Sequence, residues 1–341
     1  MQAWLNSRWY DPQRGSCVAL RPLAWLYGVG LAVRRARAPQ PTSLGAPVIV
    51  VGNLTVGGTG KTPLAVWVAN ALVRQGLCVG LISRGYGRHA AGVRLLGADA
   101  DWREVGDEPL ILARRTGCLT AVGRERVQAA RAVLAHGARV IVSDDGLQHL
   151  ALPRACSIAV ADGARGFGNG QLLPAGPLRE SLERLAGLDA LVINGAAEHP
   201  SLQAAGEYFP PLVLRMDLLA GQAVALGSAE RRTLESFRGT AVHAVAGIGH
   251  PQRFFRDLRA RGLEVREHAF PDHHPLTAAE LDFGDDLPVL MTEKDAVKCP
   301  GGSDRRLWFV PVEAAFSAAD AARLSDLLMR TVDSFARPSG G

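Results

Sequence analysis

The sequence predicts an α/β protein in which a parallel sheet carries helices on both faces. Short apolar runs alternate with stretches of helical pattern between residues 47 and 162, and this alternation is typical of parallel strands joined by helical crossovers. A glycine- and proline-rich passage at 163–177 follows, and further apolar runs begin at about residue 188. We therefore expect a second, smaller α/β unit beyond this passage, because 341 residues are enough for two cores.

Each predicted strand is a short run rich in Val, Ile and Leu, and the predicted helices lie between these runs. Strands are expected at 47–51, 77–83, 119–122, 139–143, 156–161, 188–194, 241–246, 288–291 and 307–312. Helices are expected at 107–115, 125–136, 251–261, 277–282 and 317–335, besides the one that follows the first strand. Thr277 and Glu280 have the spacing of a capping box at the start of the helix 277–282.

The most specific signal is a glycine-rich loop between the first strand and that first helix. The lysine of such a P-loop reaches β- and γ-phosphate oxygens, its threonine hydroxyl ligates Mg²⁺, and its backbone N–H groups surround the phosphates. The sequence therefore predicts a P-loop NTPase-type sheet whose nucleotide contacts are Thr55, Val56, Gly57, Gly58, Thr59, Gly60, Lys61 and Thr62. Thr55 stands where the full pattern has glycine, and a plain glycine-rich connector is the alternative interpretation.

The basic composition does not favour a nucleic-acid partner. The net charge is +5, but the 38 basic residues are scattered among 33 acidic ones and form no long stripe. Only three of these basic residues are lysines, Lys61, Lys294 and Lys298. In a chain that uses arginine so freely, a lysine indicates a position where a compact point charge is needed. The five cysteines include no C-x-x-C pair, which is typical of reduced thiols in a cytosolic compartment.

The N-terminal region carries an uncharged run at 22–33 with arginines on both sides. As a helix this run would rise about 18 Å, which is short of the hydrocarbon core of about 30 Å. Tryptophan and tyrosine side chains crowd the same region, and such rings favour the bilayer interface. We expect a monotopic interfacial helix that lies on a membrane surface; the alternative is a helix packed on the core of the protein itself.

Two acidic residues follow the predicted strand at 139–143. A P-loop needs a second acidic group at a nearby strand end to fix Mg²⁺, and Asp144 and Asp145 stand at the carboxyl edge of the sheet, where ligands bind. The alternative is a surface turn that only caps the strand. Gln148 and His149 follow at once, and we expect them to face the same crevice on the substrate side.

Three further segments carry charged or titratable side chains with two interpretations each. Asp107 is either the N-cap of a helix or a functional carboxylate. In the segment 268–274, His273 is better suited to acid–base or phosphate chemistry than to a zinc site. Arg179 and Glu180 form either a solvated ion pair or a phosphate contact, and the charged run 293–298 contains two of the three lysines, which favours a functional role over a solvated surface.

The order of seven motifs resembles the tetraacyldisaccharide 4′-kinase family, the lipid A 4′-kinases of Gram-negative bacteria. The motifs are VGNLTVGGTGKTP, SRGYGR, VGDEP, SDDGLQH, LLPAGPLRE, FPDHH and TEKDAVK, which span the chain from residue 51 to Lys298. The resemblance implies ATP- and Mg²⁺-dependent phosphorylation of the 4′-hydroxyl of tetraacyldisaccharide 1-phosphate, a lipid A precursor. Two positions depart from the family pattern, Ser181 after LRE and Leu147 in DDGLQH, which bears on specificity rather than on activity.

The resemblance also implies roles for individual residues and for whole segments. Asp107 is implied as the catalytic carboxylate with His273 as its partner and Lys61 as the phosphate clamp, while Thr62, Asp144, Asp145 and Glu180 are implied as metal and nucleotide ligands. Residues 1–38 would form the membrane helix, 39–162 the P-loop domain, 163–312 the hinged second domain, and the helix at about 313–341 would return to the P-loop domain. The expected location is the cytoplasmic face of the inner membrane, with no obligate protein partner.

Two rival functions remain at this stage. One is a soluble small-molecule kinase or ligase of the dethiobiotin-synthetase kind, in which the N-terminal run would belong to the core. The other is a membrane-bound ATPase switch, which would hydrolyse ATP slowly and bind a protein partner. Detergent dependence separates the first rival, and stimulation of ATP turnover by an acceptor separates the second.

Overall fold

A computed structural model describes residues 8–11, 18–85, 87–88, 91–97, 99–228, 230–299 and 304–336. In chain order the strands are β1 Val48–Gly52, β2 Val79–Ser83, β3 Arg94–Leu95, β4 Leu119–Val122, β5 Val140–Asp144, β6 Cys156–Asp162, β7 Ala190–Asn194, β8 Leu212–Ala220, β9 Ala223–Ala225, β10 Arg231–Arg232, β11 Ala241–Ala246, β12 Glu264–Ala269, β13 Val289–Thr292, β14 Leu307–Val310 and β15 Val312–Phe316. The α-helices are α1 Arg21–Ala36, α2 Lys61–Arg74, α3 Trp102–Val105, α4 Asp107–Thr116, α5 Arg126–Ala135, α6 Pro200–Ala204, α7 Pro251–Ala260, α8 Glu293–Ala296 and α9 Ala318–Ala336.

The larger sheet has nine strands in the order β15-β8-β7-β6-β1-β5-β2-β4-β3. Its central strands pair in parallel, and only β3 and β15 join it antiparallel. β1, β2, β5, β6 and β7 are buried along their whole length, as expected of parallel strands covered on both faces. The predicted fold class, a parallel P-loop sheet with helices on both faces and a second α/β unit, is confirmed.

Apolar side chains form a core on each face of this sheet. On one face, Leu64, Val68 and Leu72 of α2 pack against the strands together with Leu324 and Leu328 of α9. On the other face, the core includes Val133 of α5. Because α2 is buried through these residues, its first turn is held rigidly at the carboxyl end of β1.

The second sheet has six strands in the order β10-β9-β14-β13-β11-β12. β11, β12, β13 and β14 pair in parallel, and β9 and β10 are antiparallel additions at one edge. The change of sheet falls near residue 221, not at the boundary expected at residue 163, because β7 and β8 belong to the nine-stranded sheet. The passage at 163–177 is a loop of the first unit that lies against the P-loop, where Leu178 bridges Thr55.

Two local predictions differ from the structure. The run 307–312 is divided at Pro311 into β14 and β15, which belong to different sheets. Proline has no N–H to donate to a sheet, and the chain crosses between the sheets at this point. The helix expected at 277–282 is a single 3₁₀ turn, Ala279–Leu281, although Thr277 and Glu280 exchange the hydrogen bonds of a capping box.

The N-terminal helix α1 is held to the P-loop unit by polar contacts and leaves its apolar face in solvent. The Tyr27 hydroxyl donates to the Arg179 carbonyl at 3.1 Å, and Arg35 pairs with Glu180 at 2.7 Å. Trp25 and Leu26 are 69% and 57% exposed. The alternative that α1 packs into the core is therefore not what the structure shows. None of the helices in the described parts of the chain has the length and apolar character that a membrane span requires.

Candidate active site

The P-loop places Lys61 and Thr62 at the first turn of α2. Gly57 and Gly60 have φ angles of 95° and 100°, a region that only glycine enters readily. A Cβ on Gly60 would lie 2.9 Å from the Met216 side chain, so the loop closes tightly on β8. The helix start leaves backbone N–H groups free to face an anion, as phosphate sites require.

Four of the predicted site residues meet in two pairs at this turn. The Thr62 hydroxyl donates to Asp144 Oδ2 at 3.2 Å, and both residues are buried. The Lys61 ammonium lies 3.8 Å from Asp145 Oδ1. Asp144 ends β5, which is the neighbour of β1, so two adjacent parallel strands deliver the threonine and the carboxylates to one edge of the sheet.

The two adjacent carboxylates have opposite electrostatic environments. Burial, aided by the negative charge of Glu108, raises the pKa of Asp144 to about 7. Burial also favours the neutral form of Asp145, but Lys61 and Arg179 outweigh it and hold the pKa of this carboxyl below its ordinary value. Asp145 also adopts a φ of 50°, a backbone strain that is commonly stored at functional sites.

The side chains at this edge fit a divalent metal ion. Asp144 Oδ1, Asp145 Oδ1 and Glu180 Oε1 are buried, and among the described residues none of these atoms has a hydrogen-bond partner. The described part of the chain contains no cluster of three or more His, Cys, Asp or Glu side chains arranged for a metal. Mg²⁺ does not need one, because it takes one or two protein oxygens and fills its octahedron with phosphate and water.

Asp107 and His273 come together from different sheets. Asp107 begins α4 in the first unit, and His273 follows β12 of the second sheet. His273 Nδ1 lies 2.9 Å from Asp107 Oδ2, and Asp107 is 4% exposed. The N-cap of α4 is Gly106, and the Asp107 carboxylate instead accepts the N–H of the next residue, Glu108, through Oδ1. The structure thus gives Asp107 a partner that a simple cap would not have.

Each side chain of the pair shifts the pKa of the other toward the charged form. The hydrogen bond to Asp107 raises the pKa of His273 against the opposing effect of burial. Burial would raise the pKa of Asp107, but the hydrogen bond to His273 and the charge of Lys294 bring it below its ordinary value. His273 has a φ of 62°. The described residues contain two non-glycine residues at positive φ, and both, Asp145 and His273, lie at this site.

Three other predicted residues surround the site and hold its loops. Gln148 Nε2 donates to the Asn53 carbonyl at 2.9 Å, just before the P-loop. Arg179 Nη1 lies 3.3 Å from Asp145 Oδ2. His149 lines an open groove with Arg34 of α1 and Arg37, which follows that helix, and burial lowers the pKa of His149.

Glu180 is the predicted metal ligand whose observed partners lie elsewhere. It is 2% exposed and pairs with Arg35 at 2.7 Å and with Arg184 at 3.5 Å. These arginines satisfy Oε2, while Oε1 is the buried oxygen noted above. Glu180 therefore links the N-terminal helix α1 to the loop that carries Arg179. The carboxylates that contact Thr62 and Lys61 are those of Asp144 and Asp145.

Sequence reasoning missed two residues that grip the P-loop backbone. Arg165 donates to the Gly58 carbonyl, and its other terminal nitrogen lies 2.8 Å from His250 Nε2 of the second unit. Asn194 Nδ2 donates to the Thr59 carbonyl at 3.1 Å. Asn194 ends β7, and a polar residue closing a buried parallel strand is the signal that could have found it. Arg165 had none, because it is one arginine among many.

Comparisons with known proteins agree on one family. The family model described as tetraacyldisaccharide-1-P 4′-kinase matches residues 17–332. A tetraacyldisaccharide 4′-kinase of Alkalilimnicola ehrlichii is 52% identical over 323 residues, which cover 92% of each chain. One of Methylobacillus flagellatus is 45% identical over 336 residues, which cover 97% of each chain. The crystal structure of an "apo" form of LpxK from Aquifex aeolicus in complex with ATP superposes with a TM-score of 0.75 at 26% identity, covering 92% of this chain and 98% of that one.

Proposed function

The chain belongs to the tetraacyldisaccharide-1-P 4′-kinase family, and we propose that it transfers the γ-phosphoryl group of ATP to the 4′-hydroxyl of tetraacyldisaccharide 1-phosphate in lipid A biosynthesis. The observation that carries this proposal is the contact between the buried Asp107 and the half-buried His273. The helix that begins at Asp107, α4, packs against α2, whose first turn carries Lys61 and Thr62. A nucleotide site with an adjacent acid–base pair is what a hydroxyl kinase requires.

In the proposed reaction the chain mainly positions and neutralises charge, as phosphoryl transfer demands. Lys61 and the amides of the P-loop hold the β- and γ-phosphates. The 4′-oxygen attacks the γ-phosphorus, the bond to the β,γ-bridging oxygen breaks, and ADP leaves with that electron pair. Asp107, ionised because its pKa is low, accepts the hydroxyl proton, and His273 holds the carboxylate in place.

The acidic residues at the edge of the sheet are proposed to hold Mg²⁺. Thr62 and Asp144 would ligate it, with Asp145 and Glu180 as further acidic groups. Each of the three acids has a buried oxygen without a hydrogen-bond partner among the described residues, which supports this assignment. When bound, Mg²⁺ offsets the negative charge of the phosphates. The pKa of Asp144, about 7, would fall on binding of a cation, because a nearby positive charge favours the carboxylate.

We propose that α1 docks the protein on the cytoplasmic face of the inner membrane without crossing it. Val18, Leu23, Trp25, Leu26, Val29 and Val33 are exposed large apolar side chains on or beside this helix. Arginines follow them at the end of α1, where they can approach anionic headgroups. This arrangement brings the groove beside His149 to the level at which a lipid substrate would lie.

Phosphate transfer from γ-labelled ATP to purified tetraacyldisaccharide 1-phosphate in detergent micelles tests the function. We expect a labelled 4′-phosphate that depends on both detergent-dispersed lipid and Mg²⁺, and none from a Lys61→Ala control. ATP hydrolysis without labelled lipid would instead favour the ATPase switch. Transfer to a soluble small molecule with no need for detergent would favour the dethiobiotin-synthetase-like alternative.

A further inference from the structure

The acid–base pair joins two units of the molecule, so something must fix one unit against the other. Asp107 belongs to α4 beside the larger sheet, and His273 belongs to a loop of the smaller sheet. Catalytic groups have to be held within about 0.5 Å of their productive geometry. A single 2.9 Å contact between the two side chains cannot supply that constraint by itself.

The segment 293–298 packs directly on the helix that carries Asp107. Lys294 Nζ donates to Glu108 Oε1 at 2.6 Å, and Glu108 is the residue next to Asp107. Val297 is buried in one apolar cluster with Leu110 and Ile111 of α4. Burial would lower the pKa of Lys294, but the charges of Glu108 and Asp107 outweigh it and hold that pKa above its ordinary value, so the ammonium stays charged at this contact.

The same segment also supports the loop that carries His273, through hydrogen bonds to its backbone neighbours. Asp295 is 0% exposed, and its Oδ2 accepts the Gly247 N–H at 3.0 Å and the Thr292 hydroxyl at 2.6 Å. The Gly247 carbonyl in turn accepts the His273 N–H at 3.2 Å. Lys298 lies 3.1 Å from Asp295 Oδ1 and neutralises the buried carboxylate. The contacts from Lys298 through Asp295 and Gly247 therefore help to hold the His273 backbone at its strained φ of 62°.

We propose that Lys294 is a positioning residue that assembles the acid–base pair, binding Glu108 beside Asp107 while the adjoining Asp295–Lys298 pair supports His273. This inference rests on the proposed function, because it presumes that Asp107 and His273 act together in phosphoryl transfer. It also explains why two of the three lysines of the chain lie in one segment. An ammonium on a flexible stem reaches Glu108 as a compact charge, which the broad guanidinium fork of arginine does not reproduce.

A double-mutant cycle between Lys294→Met and His273→Ala tests the proposal with purified full-length protein. Lys294→Met should lower kcat by about 10- to 100-fold, the cost of a small misplacement, with the KM for ATP changed by less than about two-fold. In the His273→Ala background the same substitution should cost less than about three-fold, because residues that act as a unit are non-additive. Arg259→Met, which breaks the exposed ion pair with Glu267 on the same sheet, is the matched control and should leave kcat unchanged.

The outcomes distinguish a failure of the positioning role from a failure of the proposed kinase function. The positioning role is refuted if Lys294→Met lowers kcat by the same factor in the His273→Ala background as in the unchanged protein. It is also refuted if the KM for ATP rises in step with the loss of kcat. If His273→Ala itself keeps ordinary activity, the acid–base assignment fails instead. Should Lys294→Met not fold, Lys294→Gln provides the same cycle, and thermal unfolding of each variant shows that the measured protein is native.

Discussion

Asp107→Asn separates the two interpretations of this residue, since asparagine keeps the shape and one carbonyl oxygen but cannot accept a proton. In the structure Asp107 Oδ1 accepts the Glu108 N–H at 2.8 Å and Oδ2 meets His273 at 2.9 Å. An asparagine oxygen can keep the first contact. The amide can meet a neutral His273 nitrogen at the second, so the side chain has partners for both of its polar atoms.

The expected loss of activity follows from the proton. A positioned general base contributes about 10²- to 10⁴-fold, so kcat for lipid phosphorylation should fall by at least about 10²-fold. The affinity for ATP should remain close to that of the unchanged protein, because Lys61 and Thr62 contact Asp145 and Asp144 rather than Asp107.

The expected loss of stability is modest and depends on pH. The variant loses a charge-assisted hydrogen bond of about 1.5–3 kcal/mol, partly replaced by a neutral one of about 1 kcal/mol, so about 0.5–2 kcal/mol should be lost near pH 6. The low pKa of Asp107 adds stability that is present above the ordinary carboxyl pKa and lost as the pH falls through the folded value. The raised pKa of His273 adds stability that is present below the ordinary imidazole pKa and lost as the pH rises through the folded value.

The difference in unfolding free energy between the two proteins should therefore be largest between about pH 4 and 6.5, the ordinary pKa values of the two groups. Denaturant unfolding across that range, ATP binding by calorimetry and labelled-phosphate transfer to the lipid check the three expectations. Asp107→Glu is a useful control, since it retains a proton acceptor but displaces it. A folded Asp107→Asn protein with ordinary kcat would return the residue to a structural role at the start of α4.

Further variants test the phosphate, metal and membrane assignments. Lys61→Ala should lower kcat by about 10²-fold or more with the fold intact, and Lys61→Arg should fall nearly as far because it lacks the compact charge; near-normal transfer by the arginine variant would refute the clamp. Asp144→Asn should raise the Mg²⁺ concentration needed for half-maximal activity by about ten-fold or more, and an unchanged Mg²⁺ titration would remove Asp144 from the metal site. Deleting residues 1–35 should release protein from membranes and weaken lipid use more than ATP binding. Trp25→Asp with Leu26→Asp leaves the Tyr27 and Arg35 contacts in place. It should lower binding to anionic vesicles by about 10²- to 10⁴-fold, on the basis of about 1.5–3 kcal/mol for each of the two buried side chains; full sedimentation of both variants would place the anchor elsewhere.

The first sheet could be predicted from the sequence because its signals are local. Buried parallel strands are continuous apolar runs, and the run at 119–122 matches β4 residue for residue. The glycine pattern identified the P-loop for the same reason, since adjacent residues determine the conformation of the turn. The boundary expected at residue 163 does not coincide with the change of sheet near residue 221, because glycine and proline mark any irregular backbone, whether it connects two domains or lies over a binding site.

Only part of the site could be predicted from the residues alone. Asp144 and Asp145 follow a visible strand, so their position at the edge of the sheet could be inferred from the residues alone. Asp107 and His273 are 166 positions apart and belong to units built on different sheets, and no periodicity links them. Only the family resemblance paired them, and the packing of the two sheets gives the pairing its geometry.

The scarcity of lysine is a compositional signal that pointed to a contact between the two units. A surface charge can be met by arginine or lysine, so a chain that uses lysine at only three positions leaves each of them in need of a local cause. The structure supplies such causes: Lys61 faces Asp145 at the P-loop, Lys294 faces Glu108 across the units, and Lys298 is 3% exposed beside Asp295. Each ammonium lies within 3.8 Å of a carboxylate as a compact point charge, a geometry that the broad fork of a guanidinium does not reproduce. A depleted residue type therefore carries information about tertiary contacts that neither hydrophobic pattern nor motif spacing contains.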